Sequence, residues 1–271
     1  MARSGKASGG ARTAAVLAAA AAALLLLLLT TTTAPASAAK AHLMVPAYFD
    51  PTGNGATLWT QLTQTAQAGK VNVTAIMNPD NGPGKKSQSD YVSAMKKFRA
   101  AGGVLLGYVP TATGNKSPSW VVQRSANYVS WYDVDGIFLD ELSTSNKKVS
   151  TYEQYASGIR ALKSGIAIVG NPGTTIPASY LAVADTLMTF ESSAAQFTGH
   201  GWQAPSWGAS QPASRQACIA YSASESAVST LVADAVSRRY GYVFFTSSGL
   251  PNPYANLGSS GFFAALVGAL E

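Results

Sequence analysis

Short apolar runs alternate with amphipathic stretches along the chain from His42 onwards. Eight runs have the length of strands buried on both faces: His42–Phe49, Val73–Met77, Val104–Val109, Gly136–Glu141, Ile166–Gly170, Thr186–Phe190, Gln216–Ser222 and Tyr242–Phe245. Helical spacing of apolar positions separates most of them, at Ala56–Ala68, Ser89–Ala101, Ser117–Tyr132, Thr151–Lys163, Ser224–Arg239 and Gly258–Leu270. The helical pattern is weakest after the fifth and sixth runs. Eight strand-like runs that alternate with helical stretches predict an α/β fold, a single (β/α)8 TIM barrel.

The first 39 residues carry a different pattern from the rest of the chain. Three basic residues precede an unbroken apolar run, Ala14–Leu29, and a small-residue segment follows with an A-x-A site at Ala36–Ala38. This layout predicts a secretory signal peptide over residues 1–39 that is cleaved on export. The run is shorter than the about 20 residues of a membrane span, and an uncleaved anchor is the alternative. We therefore expect residues 40–271 to be one secreted, extracellular domain without stable membrane association.

Composition adds little once this leader is set aside. The chain has 19 Lys and Arg against 13 Asp and Glu, and three of the basic residues lie in the leader, which leaves 16. No run of Lys or Arg exceeds two residues, so no nucleic-acid partner is expected. Cys218 is the single cysteine, which excludes an intrachain disulfide, and we expect it to be buried. About 232 residues is the usual size of one barrel domain, here expected to be a monomer.

Polar side chains collect at the C-terminal ends of the predicted strands, where parallel barrels build their active sites. They are carboxylates, amides, phenols and hydroxyls: Tyr48, Asp50, Asn78, Asp80, Tyr108, Asp140, Glu141, Asn171, Glu191, Tyr221, Thr246 and Ser247. Lys and Arg are absent from these ends, so a phosphate or carboxylate ligand is not expected, and a neutral, hydroxyl-rich ligand fits better. Cleavage of a glycosidic bond requires two separated carboxylates, which this ring of residues contains.

Asp140 and Glu191 are the candidates for such a pair. Asp140 ends an apolar run, and Glu191 directly follows the run Leu187–Phe190. The alternatives are that Asp140 caps the next segment or pairs with a lysine, and that Glu191 is a surface glutamate on a loop. Side chains alternate along a strand, so Asp140 and the adjacent Glu141 cannot both point into the barrel while the strand continues. The sequence leaves open which of the two faces inward.

The segment Ser192–Arg215 is long and contains Trp202 and Trp207 among Gly and Pro residues. An aromatic face packs well on the C–H face of a sugar ring, so a loop of this kind suits a glycan. The alternative is that both tryptophans fill space beneath the loop. Three further tryptophans lie on predicted helices and are expected in the core: Trp59, Trp120 and Trp131.

Other chemistries lack the residues they need. Past the leader, the nitrogen and sulfur ligands are His42, His200 and Cys218, so no metal site is expected. The Gly-x-Ser-x-Gly elbow of serine hydrolases is absent. Gly82–Ser87 lacks the spacing of a phosphate loop, and Gly53–Gly55 lacks the third glycine of a dinucleotide motif. No metal and no cofactor are therefore expected.

Several motifs occur in a recognisable order along the chain. They are Val45–Phe49 (VPAYF), Asn78–Gly84 (NPDNGPG), Gly107–Val109 (GYV), Asp135–Glu141 (DGIFLDE), Gly170–Gly173 (GNPG) and Phe190–Glu191. From about Leu43 to the C-terminus, the series resembles the spherulin-4 family, also called spherulation-specific family 4. The resemblance implies a (β/α)8 barrel and kinship with glycoside hydrolases that cut α-1,4-linked N-acetylgalactosamine in microbial exopolysaccharides.

The resemblance also implies which residues act. The family's acidic pair at the end of the fourth strand matches Asp140 and Glu141, and its glutamate at the end of the sixth matches Glu191. We expect Asp140 and Glu191 to be the principal catalytic groups, and Glu141 to be a third acid that orients or tunes them. The residues expected to bind substrate are Tyr48, Asp50, Asn78, Tyr108, Asn171, Trp202 and Tyr221. Which carboxylate is the acid, and whether the substrate's acetamido group assists, stays open.

The working hypothesis is a secreted, endo-acting glycosidase whose partner is a hexosamine-containing polysaccharide. One alternative is a non-catalytic polysaccharide-binding or spore-surface protein on the same barrel, which would bind glycan and release no reducing ends. Another is a barrel hydrolase that acts on a different glycan, such as a cell-wall polymer.

Overall fold

The structure is a computed structural model that describes residues 1–2, 40–199 and 202–271. Eight parallel strands pair in sequence order and close into a barrel. The predicted (β/α)8 barrel is therefore confirmed. All but the first two residues of the predicted signal peptide, and His200, lie outside the described residues.

The strands match the predicted apolar runs closely. They are β1 (His42–Ala47), β2 (Val73–Met77), β3 (Val104–Pro110), β4 (Gly136–Asp140), β5 (Ala167–Gly170), β6 (Thr186–Ser193), β7 (Gln216–Tyr221) and β8 (Tyr242–Phe245). Two boundaries differ from the prediction by more than one residue. β1 ends at Ala47, two residues before Phe49, and β6 continues three residues past Phe190.

Seven α-helices surround the strands in the described part of the chain. They are α1 (Gly53–Ala68), α2 (Ser89–Ala100), α3 (Pro118–Tyr132), α4 (Val149–Arg160), α5 (Ala194–Thr198), α6 (Val228–Ser237) and α7 (Ser260–Leu270). The connection from β5 to β6 contains the 3-10 helix Ala178–Ala182 instead of an α-helix, and α5 has only five residues. These are the two connections in which the sequence lacks a clear helical pattern.

Local sequence signals explain where the helices begin and end, and α3 illustrates this. The Ser117 hydroxyl accepts a hydrogen bond from the Trp120 N–H, and Pro118 occupies the first turn, where its missing N–H costs nothing. Asp133 ends the helix in the left-handed conformation, with φ of 50°. These three signals account for the bounds of α3 at Pro118 and Tyr132.

Side chains on β3 alternate between the helices and the barrel interior. A Cβ on Gly107 would lie 2.4 Å from the ring of Tyr128, so Gly107 lets α3 approach the outer face of the strand. The next residue, Tyr108, points the opposite way and stacks on Phe138 inside the barrel. Gly107 therefore faces α3, and Tyr108 faces the barrel interior.

Not all the tryptophans lie where the helical pattern predicts. Trp59 is buried, as expected. Trp120 and Trp131 are only partly buried, which corrects the prediction that they belong to the core. Cys218 is fully buried on β7. Within the described ranges, no helix combines the length and the apolar character needed to cross a membrane.

Candidate active site

Asp140 lies at the C-terminal tip of β4 and points into the mouth of the barrel. One of its carboxylate oxygens accepts a hydrogen bond from the Tyr108 hydroxyl at 2.7 Å, and the other accepts from Nδ2 of Asn171 at 2.9 Å. In the described chain, the five ion pairs involve other acids, so Asp140 pairs with no lysine. Its oxygens instead face phenol and amide groups that belong to the mouth.

One amide group joins the two predicted catalytic acids. Nδ2 of Asn171, at the tip of β5, contacts Asp140 at 2.9 Å and Glu191 at 2.6 Å. The Asn171 side-chain oxygen accepts from the Gly173 N–H at 2.8 Å, which holds the amide so that Nδ2 faces the acids. The two carboxylate oxygens share one nitrogen, so they lie at most about 5.5 Å apart, which is below the about 6.5–9.5 Å of inverting glycosidases.

Glu191 reaches the interior because β6 contains an irregularity. The pairing of β6 with β7 shifts between Met188 and Phe190, which leaves Thr189 as an extra residue. Thr189 bonds to the Tyr240 hydroxyl, and Phe190 packs on Phe197 of α5, so two successive side chains face the helices. Glu191 therefore points inward, as Asn171 does. A regular strand would place Glu191 on the same face as Thr189.

Tyr254 completes the surroundings of Glu191. Its hydroxyl donates to the Glu191 oxygen that Asn171 leaves free. The sequence analysis missed this residue because it lies in the loop between β8 and α7, nine residues beyond the strand end. The signal available was that loop itself, which follows a barrel strand and carries an aromatic residue between two prolines and α7.

Three tyrosines form one wall of the site. Tyr48, which follows β1, packs edge-on against Tyr108 at 5.5 Å and against Tyr254 at 5.7 Å between ring centroids. Burial raises the pKa of the Tyr48 phenol well above its usual value, and the charges of Asp140 and Glu191 raise it further. Tyr48 thus stays protonated and can donate a hydrogen bond to a ligand.

The surroundings of Asp140 favour its protonated form. Burial raises the pKa of Asp140 to about 6, and the negative charge of Glu191 contributes to the rise. Hydrogen bonds from Tyr108, from the Glu141 backbone and from Asn171 stabilise the ionised form and limit the shift. Asp140 can therefore hold a proton in mildly acidic solution, as a general acid must.

Glu141 does not enter this cluster. The strand ends at Asp140, and Glu141 takes the left-handed conformation with φ of 55°. Its side chain accepts a hydrogen bond from the Ala112 N–H at 3.0 Å, and Thr111 bonds to the backbone oxygens of Asp140 and Glu141. The two adjacent acids thus point in different directions, and Asp140 is the inward one.

The other predicted binding residues occupy varied positions. Asp50 lies away from the cluster because β1 ends early and its carboxylate accepts from the N–H and hydroxyl of Thr52. Asn78 accepts from the Gly82 N–H and shapes the loop after β2. Tyr221 ends β7, close enough to Tyr254 that its phenol charge would raise the Tyr254 pKa.

Trp202 and Trp207 play different parts. Trp207 is buried, and its ring N–H donates to the Ile176 carbonyl, so it fills space beneath the loop. Trp202 is partly buried against Phe190 and Phe197 and lines a cavity of about 550 Å³ together with Glu191. Of the two tryptophans, Trp202 is the one that shares a cavity with a candidate catalytic acid.

Two cavities lie near the strand ends that carry the acids. Glu191 lines the 550 Å³ cavity, and Glu141 lines one of about 690 Å³. A third cavity, of about 710 Å³, lies at the opposite end of the barrel, near the start of β3. Among the described residues, no group of three or more His, Cys, Asp or Glu could hold a metal ion.

Closed barrels of this kind are found in glycoside hydrolases. The structure of Aspergillus clavatus Sph3 in complex with GalNAc aligns with a TM-score of 0.75 and 22% identity, over 85% of this chain and 97% of that one. A chitinase from Rhizomucor miehei aligns with a TM-score of 0.53 and 12% identity, over 85% and 99% of the two chains. The protein therefore shares its closed barrel fold with both structures.

Sequence similarity identifies the family. The profile of spherulation-specific family 4 matches residues 42–269, and the chain belongs to that family. Spherulin-4 from Physarum polycephalum is 34% identical over 157 residues, which cover 57% of this chain and 46% of that protein. The match thus spans about half the length of that relative. The resemblance seen in the sequence motifs is confirmed.

Proposed function

We propose that the protein is a secreted glycoside hydrolase that cuts within chains of α-1,4-linked N-acetylgalactosamine and galactosamine. The observation that carries the proposal is the contact of one Asn171 amide nitrogen with both Asp140 and Glu191. The shared nitrogen keeps their nearest oxygens within about 5.5 Å, which supports cleavage with retention of the anomeric configuration over inversion, where about 6.5–9.5 Å is needed.

The roles of the two acids follow from their surroundings. Asp140, with a pKa of about 6, donates its proton to the oxygen of the leaving sugar. Glu191 receives hydrogen bonds from Asn171 and Tyr254, which stabilise its negative charge and aim it as the nucleophile. The pair divides acid and nucleophile between two carboxylates in different environments, which is the pattern of retaining glycosidases.

The reaction proceeds in two steps. In the first, Glu191 bonds to the anomeric carbon while the glycosidic bond breaks, and the leaving oxygen takes the Asp140 proton. In the second, Asp140 removes a proton from water, the water oxygen attacks the anomeric carbon, and Glu191 leaves as a carboxylate. An acetamido group on the substrate could replace Glu191 as the first nucleophile, and trapping of the intermediate distinguishes these two routes.

The substrate assignment has two supports. The Aspergillus clavatus Sph3 structure contains GalNAc, and it aligns with 85% of this chain. The mouth presents hydroxyl-bearing and amide side chains at the catalytic pair, which suit a sugar rich in hydroxyl groups. The cavities lined by Glu191 and by Glu141 leave room for a polymer to extend beyond the cleaved bond, as endo-cleavage requires.

Export and assembly are part of the same proposal. The layout of residues 1–39 supports cleavage of a leader and release of the barrel outside the cell. Both carboxylates and their hydrogen-bond donors come from one chain, so the site is complete in a monomer.

The test is to incubate the purified barrel with a partly N-acetylated α-1,4-galactosaminan and to measure new reducing ends. Glu191→Gln and Asp140→Asn should each lower the rate by at least about a hundredfold, because each removes a group that bonds or transfers a proton. Glu153→Gln is the matched control, since Glu153 is exposed on α4, and it should cleave at the wild-type rate.

Three results would contradict the proposal in different ways. Unchanged cleavage in Asp140→Asn or Glu191→Gln would remove that acid from the mechanism. Binding of the polymer without release of reducing ends would favour the non-catalytic alternative. The absence of both binding and cleavage would reject the galactosaminan as the substrate.

A further inference from the structure

The cavity next to Glu141 has a chemical character of its own. It measures about 690 Å³ and is bounded by the strand-end residues Asp80, Pro110 and Glu141, so it opens on the same face as the catalytic pair. Three basic side chains line it: Lys85, Lys116 and Arg124. The strand tips carry no Lys or Arg, and these cations come instead from the loops after β2 and β3 and from α3.

Two of these cations are held in place by an aromatic ring. The Lys116 ammonium lies 4.8 Å from the centre of the Trp120 ring, and the Arg124 guanidinium lies 4.6 Å from it. The three residues are spaced four apart, which places them along one side of α3 and its N-terminal extension. All three are partly buried. We call Lys116, Trp120 and Arg124 the cationic stack.

Arg124 is fixed on a second side as well. Gly82 has φ of 140°, and a Cβ there would lie 3.2 Å from Nη1 of Arg124, so the loop after β2 passes closely over the guanidinium. A guanidinium presents five N–H donors. Within residues 40–199 and 202–271, the five ion pairs use Lys70, Arg99, Arg160 and Lys163, and no carboxylate neutralises Arg124 or Lys116.

The acids of the cavity do not cancel this charge. Asp80 and Glu141 also line it, and both are exposed. One Glu141 oxygen is occupied by the Ala112 N–H. Neither acid lies within 4 Å of the three cations, so no ion pair neutralises them. Three cations against two acids leave the lining with a formal charge of +1, which favours an anion.

We propose that this cavity is a subsite for a carboxylate on the glycan, such as that of a uronic acid, a few sugars from the cleaved bond. The planar guanidinium of Arg124 matches a carboxylate with two parallel hydrogen bonds, and Lys116 adds charge. This inference rests on the proposed function in that a glycan crosses the mouth. It changes the substrate class from a purely neutral or amine-bearing polymer to one that also carries acidic sugars.

The test is calorimetric binding of a short α-1,4-linked oligogalacturonate to the wild-type protein, compared with its methyl ester, which has the same rings without charge. The acidic oligomer should bind roughly tenfold more tightly than the ester, because it gains charge-assisted hydrogen bonds. Arg124→Gln and, separately, Lys116→Gln should each weaken binding of the acidic oligomer and leave binding of the ester unchanged.

Lys86→Gln is the matched control, because Lys86 is an exposed neighbour of Lys85 that does not line the cavity. The substitution removes the same charge outside the proposed subsite. It should keep the preference for the acidic oligomer. Equal affinity for the two oligomers, no binding of the acidic one, or an equal loss in Lys86→Gln would overturn the proposal. Failure to cleave galactosaminan with an intact acidic preference would instead reject the proposed substrate and retain the subsite.

Discussion

Asn171 connects two acids that lie far apart in the sequence, and its position links them into one hydrogen-bonded cluster. The amide holds Asp140 and Glu191 at the same nitrogen, while Tyr108 and Tyr254 each serve one of the acids. A change at any of these residues alters how a proton is shared across the pair. The pH dependence of cleavage is therefore the most direct measure of the arrangement.

Cleavage should decline as the pH rises through about 6. Asp140 acts in its protonated form, which exists below its pKa of about 6 and is lost above it. Tyr108→Phe removes a hydrogen bond that stabilises ionised Asp140, so the Asp140 pKa should rise and the alkaline limb of kcat/KM should move to higher pH. A rate that increases through this range would show that Asp140 acts as a base or nucleophile.

Tyr254→Phe tests the donor that the sequence motifs do not include. The hydroxyl donates to Glu191, and loss of a hydrogen bond to a charged group costs about 1.5–3 kcal/mol, so kcat should fall about tenfold or more. Tyr242→Phe, at the start of β8 and the opposite end of the barrel, is the control and should leave kcat unchanged. Equal rates in both variants would exclude a role for the Tyr254 hydroxyl.

At the scale of the elements, sequence patterns predict where β6 lies but not the direction of every side chain along it. The apolar run Leu187–Phe190 correctly predicts a strand with Glu191 at its end. Strict alternation, however, would turn Glu191 towards the helices with Thr189. The shift between Met188 and Phe190 corrects the direction, and it depends on how β6 pairs with β7, which is tertiary information.

Much of the fold follows from local patterns in the same way. Apolar runs and helical spacing place all eight strands within three residues of their observed bounds, because buried strands and amphipathic helices are each encoded locally. Local patterns do not identify Tyr254, because its loop has no periodicity. Its place in the site depends on contact with Glu191, 63 residues earlier in the chain. Lys116 and Arg124 lie away from the strand ends, so the pattern of polar residues at those ends does not include them.

The fit between α3 and β3 makes a testable claim about stability. Gly107→Ala should lower the free energy of unfolding by about 1–3 kcal/mol, since its Cβ would overlap the Tyr128 ring and force α3 outward. Gly268→Ala is the contrasting substitution. It lies on the exposed face of α7 with nothing within 4 Å, and it should stabilise by about 0.5–1 kcal/mol. Urea denaturation of both variants measures the difference.

At the scale of the whole molecule, Cys218 reports on the integrity of the barrel. It is fully buried on β7, and burial raises the pKa of its thiol well above the usual value, so the folded protein presents no reactive thiolate. A thiol-specific reagent should label Cys218 only as the barrel opens, at a rate that rises with denaturant. Rapid labelling of the native protein would contradict a closed barrel.

The two ends of the barrel domain meet. Lys40 contacts the backbone oxygen of Glu271, and Lys70 pairs with the Glu271 side chain at 3.0 Å, while β1 and β8 close the ring between them. A short peptide could therefore join residue 271 to residue 40, and new ends could be opened in an exposed loop elsewhere. Circularly permuted forms that still bring Asp140, Asn171 and Glu191 together and cleave the glycan would show one thing. Catalysis would then depend on the positions of the strands around the barrel and not on their order in the chain.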